Sequence, residues 1–213
     1  MPLGRAVRRT LGPLEPLAIR TYRGAFIDLD SLAVTIGSLA PNAKRILEIG
    51  CGDGAMAASL RRVLPNANLL GLDPGMAEPG RMYEGDRDGV EFRPILTTDL
   101  IEEGFEPYDL VVLCDVLHHV QESDREPILH DAAKLTAPGG TVAIKDWESR
   151  PGLGSKMAFF ADRYVSGDAT VRFMPMDEIN GLIHAAMPDW IRTCEARIPP
   201  RRSNVLITMQ RPA

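Results

Sequence analysis

The sequence predicts an α/β domain built on a doubly wound parallel sheet. Short apolar runs rich in Ile, Leu and Val alternate with amphipathic stretches along most of the chain, which is typical of strand–helix–strand units. The run at residues 109–114 is apolar almost throughout, as expected of a central strand covered on both faces. A length of 213 residues, 45% of them hydrophobic, suffices for a single domain with modest additions.

The elements follow in order along the chain. Apolar residues at helical spacing predict two helices between residues 14 and 40, the second beginning at Asp30. We expect strands at residues 45–49, 69–73, 90–95, 109–114 and 141–145, and helices at 55–64 and 124–136. A Pro-Gly-Gly sequence at residues 138–140 ends the latter helix. Residues 76–83 are a further helix candidate, interrupted by Pro79 and Gly80.

The last third of the chain has a different pattern. Residues 147–176 show no strand pattern, and connections of this length are usually functional or disordered. A helix is predicted from Asp177 to about residue 187, followed by strands at 190–198 and 204–209. We therefore expect one domain over residues 1–213. Its parts are a helical cap (1–44), a ligand-binding core (45–146), a lid-like insert (147–176) and a C-terminal helix with strands (177–213).

Charge and cysteine content exclude several classes of partner. The net charge of −5 and pI near 5.4 give no general attraction for nucleic acid or an anionic membrane. No apolar run approaches the roughly 18 residues of a membrane span. Cys51, Cys114 and Cys194 are widely spaced, which favours free thiols in a reducing compartment. We expect a cytoplasmic protein without nucleic-acid or membrane partners.

A glycine turn follows the first predicted strand of the core. Gly50, Gly52 and Gly54 remove side chains where the backbone must turn sharply or approach a ligand closely. A dinucleotide site favours a third glycine where this chain has Ala55. Glu48, just before the turn, suits a positively charged ligand such as a sulfonium and would repel a pyrophosphate. The pattern therefore favours a cationic nucleoside ligand.

The segment Glu-Ile-Gly-Cys-Gly-Asp-Gly at residues 48–54 resembles the first motif of the class I S-adenosylmethionine-dependent methyltransferases. The resemblance continues in order over residues 45–146, through Asp73, Asp99, the loop at 115–120 (Asp-Val-Leu-His-His-Val) and the Pro-Gly-Gly turn. It implies S-adenosylmethionine as the cofactor. It also implies a seven-stranded, mostly parallel sheet of order 3-2-1-4-5-7-6, with the last strand antiparallel.

The resemblance assigns the cofactor to one set of residues: Glu48, Gly50, Cys51, Gly52, Asp73, Pro74, Asp99, Leu100 and Asp115. In it, Asp73 binds the ribose hydroxyls and Asp99 meets the adenine amino group. Both acids also have an ordinary structural role open to them, because Asp73 precedes Pro74 as a helix cap would and Thr98-Asp99 is common turn chemistry.

Methyl transfer to a hydroxyl also requires a base. The candidates are His119, His184 and Asp146, in falling order of preference, with His118 less favoured than His119. Metal-dependent members of the fold hold magnesium with acids placed like Asp115 and Asp146. Here Asp146 is followed by Trp147 rather than by asparagine, and we expect no metal.

The acceptor is expected between the insert and the N-terminal segment. The candidate contacts are Trp147, Phe159, Phe160, Arg163 and Tyr164 from the insert, with Tyr22 and Arg23 from the other side. The alternative for the aromatic residues is a core position under a helix.

The sequence thus predicts methyl transfer to a small molecule, with oxygen favoured over nitrogen or carbon, by a monomer or homodimer. Three alternatives stay open: a non-catalytic S-adenosylmethionine-binding partner subunit, a nicotinamide-dependent oxidoreductase, and an enzyme that uses the sulfonium without transferring its methyl group. Cofactor titration and labelled-methyl incorporation distinguish them.

Overall fold

The computed structural model describes residues 28–149, 171–199 and 203–213. Its strands are β1 (Arg45–Ile49), β2 (Asn68–Leu72), β3 (Val90–Arg93), β4 (Tyr108–Cys114), β5 (Thr136–Trp147), β6 (Ile191–Arg197) and β7 (Asn204–Gln210). They form one seven-stranded sheet of order β3-β2-β1-β4-β5-β7-β6. Strands β1 to β5 pair in parallel, and β7 pairs antiparallel with both β5 and β6. The predicted order and the antiparallel last strand are confirmed.

Helices cover both faces of this sheet. They are α1 (Leu29–Leu39), α2 (Ala55–Val63), α3 (Thr97–Glu103), α4 (Glu122–Leu135) and α5 (Met176–Ala186). Successive residues of a strand point to opposite faces, so Ile46 packs with α1 and α2 whereas Leu47 packs with α3, α4 and α5. Both side chains are fully buried. This double burial is why most residues of β1 and β4 are apolar.

Three helices begin before the residues that the sequence indicated, and one of them is α4, which begins at Glu122 rather than at residue 124. Asp28, not Asp30, caps α1, and its Oδ1 accepts a hydrogen bond from the Ser31 N–H at 3.0 Å. Asp30 instead accepts from the Ser59 hydroxyl of α2 at 2.8 Å and joins the two helices. Likewise, α5 begins at Met176 after Pro175, and the predicted cap Asp177 lies in its first turn. The helix dipole stabilises acidic residues in the first turn as well as at the N-cap, so the sequence does not distinguish the two positions.

The helix predicted at residues 76–83 is wrong. These residues form turns, and two of their backbone N–H groups bond outward to the glycine turn. The Gly80 N–H donates to the Gly52 carbonyl at 2.9 Å, and the Met82 N–H donates to the Asp53 carbonyl at 3.0 Å. Gly80 also has a φ of 68°, which a right-handed helix excludes.

The segment after β3 also differs from the prediction. β3 ends at Arg93 rather than at residue 95, and the short helix α3 follows, which the sequence did not indicate. The Asp99 carboxylate accepts a hydrogen bond from the Leu96 N–H at 2.9 Å, at the start of this helix. A seven-residue helix carries too little periodicity to be recognised from its pattern.

The strand β5 begins at Thr136, ahead of the predicted residue 141. Thr136 pairs with Tyr108, and the pairing then shifts so that Thr141 lies opposite Leu110. The helix α4 thus ends at Leu135, and the Pro-Gly-Gly sequence lies in an irregularity of β5 rather than at the end of the helix.

The four-part division of the chain stays a prediction, because residues 1–27, 150–170 and 200–202 lie outside the described residues. Within the described ranges, no helix combines the length and apolar character that a membrane crossing requires.

Gly71, in the middle of β2, gives a test of the packing beneath the glycine turn. A Cβ atom there would lie 2.6 Å from Cδ1 of Phe92 and 2.9 Å from Sγ of Cys51. We expect Gly71→Ala to lower the free energy of unfolding by about 1–3 kcal/mol, measured by urea denaturation.

The control is Gly181→Ala, because nothing lies within 4 Å of a Cβ at this position in α5. It should raise stability by about 0.5–1 kcal/mol. Equal stability of Gly71→Ala and the wild type would contradict the packing described here.

Candidate functional site

The carboxyl ends of β1, β2 and β4 surround a cavity of about 1050 Å³. Parallel strands end at the same edge of a sheet, so the loops that follow them meet there. The cavity wall comes from the glycine turn after β1, the turn after β2, the segment between β3 and α3, the loop after β4, and α4. This is the edge where the sequence predicted a ligand.

The glycine turn after β1 approaches its neighbours too closely for side chains. Gly50, Gly52 and Gly54 have φ values of 71°, 53° and 88°, in the left-handed region that favours glycine. A Cβ atom on Gly50 would lie 2.6 Å from Cγ2 of Val116, which belongs to the loop after β4. At Gly52 a Cβ atom would meet nothing within 4 Å and would occupy open space at the cavity wall.

The Asp73 carboxylate joins two of these loops. Its Oδ2 accepts a hydrogen bond from the Gly52 N–H at 2.9 Å, and its Oδ1 accepts one from the Gly75 N–H at 2.9 Å. Asp73 and Pro74 both line the cavity. The carboxylate thus fixes the backbone on either side of the place where a ligand would lie.

Glu48 and Cys51 occupy the floor of the cavity. Glu48 is 2% exposed and lines the cavity at the end of β1. Burial raises the pKa of the Cys51 thiol, and the carboxylates of Glu48 and Asp73 raise it further. Cys51 therefore contributes a neutral, small apolar side chain rather than a nucleophile.

Asp115 has an unusual backbone at the end of β4. Its φ of 60° is the one positive value among the non-glycine residues that the structure describes. Its Oδ1 lies 2.5 Å from the ammonium of Lys145, whose side chain is completely buried. The Asp115 side chain is 30% exposed and lines the cavity.

His118 and Asp146 form a buried pair at the ends of β4 and β5. His118 Nδ1 lies 2.6 Å from Asp146 Oδ1, and both side chains are 1% exposed. Asp146 also accepts hydrogen bonds from the backbone N–H groups of His118 at 3.3 Å and Trp147 at 2.6 Å. Burial raises the pKa of the Asp146 carboxyl, but these partners outweigh it and hold that pKa below its ordinary value.

Both Asp146 oxygens accept hydrogen bonds from His118 or the backbone, so this geometry favours Asp146 as the partner of His118 over a base in its own right. An ionised carboxylate with a lowered pKa and occupied oxygens binds a substrate proton poorly.

His119 is the histidine that lines the cavity. It is half-buried, and its ring lies 4.1 Å from the ring of His118, centroid to centroid. The loop that carries both is held by Arg125 of α4, whose Nε donates to the carbonyls of Leu117 at 3.0 Å and Val120 at 3.2 Å.

Three other predicted residues lie outside the cavity wall. His184 is exposed on α5, so its position does not support a role as the base. Leu100 is a buried residue of α3, and the Asp99 carboxylate accepts a hydrogen bond at the start of that helix. The adjacent residues Thr97 and Thr98 do line the cavity.

The predicted acceptor contacts are described only in part. Trp147 is 5% exposed at the end of β5, and its ring stacks on Phe173 with centroids 5.6 Å apart. Phe173 in turn meets His118 edge-on at 5.4 Å. The remaining candidates lie outside the described residues: Tyr22, Arg23, Phe159, Phe160, Arg163 and Tyr164.

Comparisons with known proteins agree with this geometry. A family model described as "Methyltransferase domain" matches residues 47–142. The ubiquinone biosynthesis O-methyltransferase of Xanthomonas campestris pv. campestris (strain B100) is 26% identical over 196 residues, covering 88% of this chain and 74% of that protein. The family model, this relative and the fold together support a class I S-adenosylmethionine-dependent methyltransferase.

Solved structures share the fold of this methyltransferase. An O-methyltransferase family protein from Burkholderia thailandensis superposes with a TM-score of 0.70 at 20% identity, covering 87% of this chain and 55% of that one. The 1,6-didemethyltoxoflavin-N1-methyltransferase of the same organism has a TM-score of 0.65 at 15% identity, covering 100% and 91%. The chain thus spans little more than half of the first of these structures.

The charge of the methyltransferase cavity fits the cofactor of its family. The carboxylates in the wall are Glu48, Asp53, Asp73, Asp115, Asp124 and Asp131, whereas Arg81 is the sole lysine or arginine there among the described residues. An acidic wall attracts a sulfonium and an ammonium group and repels a pyrophosphate. The open space at Gly52 leaves room for a ligand against the backbone.

Sequence reasoning missed three polar residues of the methyltransferase site. Lys145 and Arg125 are fully buried cations, and nothing in their sequence context distinguishes them from exposed ones. Asp131 of α4 lines the cavity and accepts a hydrogen bond from the Thr97 hydroxyl at 2.5 Å. Its pairing with α3 has no sequence signal, since α3 itself was not predicted.

Arg125 generates a prediction about the loop after β4. Its side chain is 1% exposed, and it bonds both to that loop and to Glu178 of α5 at 3.2 Å. We expect Arg125→Leu to lower the free energy of unfolding by about 2–4 kcal/mol, because the loop carbonyls lose their donor.

Arg172→Leu is the matched control, since Arg172 pairs with the same Glu178 but is 46% exposed. Its cost should stay below about 1 kcal/mol. Similar losses for both variants in urea denaturation would show that burial of Arg125 does not determine its contribution.

Proposed function

We propose that this chain transfers the methyl group of S-adenosylmethionine to a small-molecule acceptor, most favourably to an oxygen atom. The observation that carries the proposal is the acidic cavity at the ends of β1, β2 and β4, where Glu48, Gly52 and Asp73 meet. The O-methyltransferase relative that covers most of this chain supports the choice of oxygen. The His118–Asp146 pair supports it independently, because a hydroxyl acceptor needs a base.

The residues around the glycine turn would hold the cofactor. Glu48 and Asp115 supply negative charge for its cationic amino acid portion, and the Gly52 backbone allows close approach. Asp73 already accepts two backbone hydrogen bonds, and its remaining lone pairs are available to the ribose hydroxyls. When bound, the cofactor supplies an electrophilic methyl group on a sulfonium.

The adenine end has two candidate acids. Asp99 was indicated by the resemblance, but its carboxylate already accepts a hydrogen bond from the Leu96 N–H, and Asp99 is not a residue of the cavity wall. Asp131 lies in the wall beside Thr97. We infer that Asp131 is the better candidate acceptor for the adenine amino group.

The protein's part in the reaction is to hold the acceptor in line with the methyl group and to exclude water. His118 is the first candidate base because Asp146 fixes its orientation, although its side chain is 1% exposed and lies outside the cavity wall. His119 is the second candidate because it lines the cavity. In this scheme the acceptor hydroxyl loses its proton to one of these histidines as the oxygen attacks.

The other functional expectations stay predictions. These are the acceptor contacts from Trp147 and the lid-like insert, the absence of a nucleic-acid partner, a monomeric or homodimeric state, and a cytoplasmic location. The non-catalytic partner subunit would bind S-adenosylmethionine without transferring a methyl group to any acceptor. A nicotinamide enzyme would bind NAD instead of S-adenosylmethionine.

Glu48→Gln tests the cofactor site. The substitution removes a buried negative charge with little change in shape, so the affinity for S-adenosylmethionine should fall by roughly ten- to a hundred-fold in calorimetric titration. Glu106→Gln is the control, since Glu106 is 81% exposed and belongs to the ion pair at the opposite end of β1. An unchanged affinity of Glu48→Gln, or tight NAD binding by the wild type, would reject the site.

A second experiment distinguishes the roles of the two histidines. Its first step is to identify the acceptor by transfer of a labelled methyl group to a library of small hydroxyl, amine and carbon acceptors. With the acceptor so found, His118→Asn should lower kcat by about 10²–10⁴-fold and leave cofactor affinity nearly unchanged. It should also abolish the acid limb of the pH–rate profile. His119→Asn is the matched variant. If only His119→Asn removes the acid limb of the pH–rate profile, His119 is the base. If labelled product forms only from an amine acceptor, oxygen is rejected as the acceptor atom.

A further inference from the structure

A buried polar cluster lies beneath the cavity, at the ends of β4 and β5. It contains two carboxylates and an imidazole, from Asp115, Asp146 and His118, with ligand atoms that all lie within 4.8 Å of one another. Two oxygen ligands and one imidazole suit a divalent cation. The proposed reaction leaves one member of this region unused, namely Lys145.

Lys145 brings a positive charge into the same cluster. Its side chain has no solvent exposure, and its Nζ lies 2.5 Å from Oδ1 of Asp115. The ammonium also lies 5.1 Å from the centre of the Trp147 ring, a cation–π contact that holds it from a second side. Burying an ammonium is costly unless it is paired, so this arrangement persists because Asp115 and Trp147 compensate it.

The two acids of the cluster are both occupied. Asp115 faces the Lys145 ammonium, while Asp146 faces His118 and the Trp147 backbone N–H. A metal ion at this position would have to displace these contacts and would lie close to a buried positive charge. Unlike charges attract and like charges repel strongly in a water-poor site, so the ammonium opposes a divalent cation.

We propose that Lys145 is the built-in cation of this cluster: it holds the Asp115 carboxylate at the cavity wall and excludes a divalent metal. Lys145 is a positioning residue, because it acts on the cavity through Asp115. Without the ammonium, Asp115, His118 and Asp146 become a divalent-cation site. If Lys145 excludes a metal, methyl transfer is metal-independent, and this consequence rests on the proposed function. The effect of Lys145 on metal binding does not depend on the proposed function.

The test is a titration of the protein with Mn²⁺ alone. The electron paramagnetic resonance signal of the free ion measures how much Mn²⁺ remains unbound. The wild type should show no saturable binding. Lys145→Met keeps an apolar stem of similar length and removes the charge, so its affinity for Mn²⁺ should rise about tenfold or more. Lys145→Arg retains the positive charge and should behave as the wild type. The double variant Lys145→Met/Asp115→Asn should lose the gained binding.

Two results would overturn the proposal. One is saturable Mn²⁺ binding by the wild type that the substitution Asp115→Asn abolishes. This result can be obtained even if the Lys145 variants do not fold. The other is a Lys145→Met protein with an unchanged circular dichroism spectrum and no gain in Mn²⁺ affinity. Activity is a separate arm: transfer that survives EDTA in the wild type supports the proposal, and transfer that EDTA abolishes contradicts it. A chain that transfers no methyl group at all rejects the proposed function and leaves the Mn²⁺ titration decisive.

Discussion

The Asp73 carboxylate is the interaction on which the candidate site most depends. It accepts the N–H groups of Gly52 and Gly75, so one side chain fixes both the turn after β1 and the turn after β2. The backbone of β2 reinforces this link, because the Leu72 carbonyl accepts hydrogen bonds from the N–H groups of Gly50 at 2.7 Å and Cys51 at 3.0 Å. The cavity is therefore preorganised by the sheet rather than assembled by a ligand.

The same turn determines structure well beyond the site. Gly80 and Met82 donate their N–H groups to the carbonyls of Gly52 and Asp53, which prevents a helix in that segment. A Cβ atom on Gly54 would lie 2.9 Å from the Gly80 Cα, so these two backbones pack directly on each other. A long-range demand of the site thus overrides the local helical pattern.

The sequence predicted the sheet well and the polar interior poorly, for a physical reason. Strands and their order leave a signal because burial makes most residues of β1 and β4 apolar, and because glycine is favoured where φ is positive. Whether a charged side chain is buried leaves no local signal. Asp99 and Asp131 read alike in the sequence, yet the former starts a helix and the latter lines the cavity.

The ends of β4 and β5 show how carboxylates are compensated at positions whose burial the sequence does not indicate. Asp115 follows β4 and Asp146 lies near the end of β5, and each carboxylate is compensated by a neighbouring group. Lys145 compensates the first, and His118 with two backbone N–H groups compensates the second. Because the two partners differ in kind, the two acids have different surroundings. The Asp115 carboxylate is held in the cavity wall by an ammonium, whereas the Asp146 carboxylate orients an imidazole. One polar cluster thus supplies residues for both the proposed cofactor site and the proposed proton transfer.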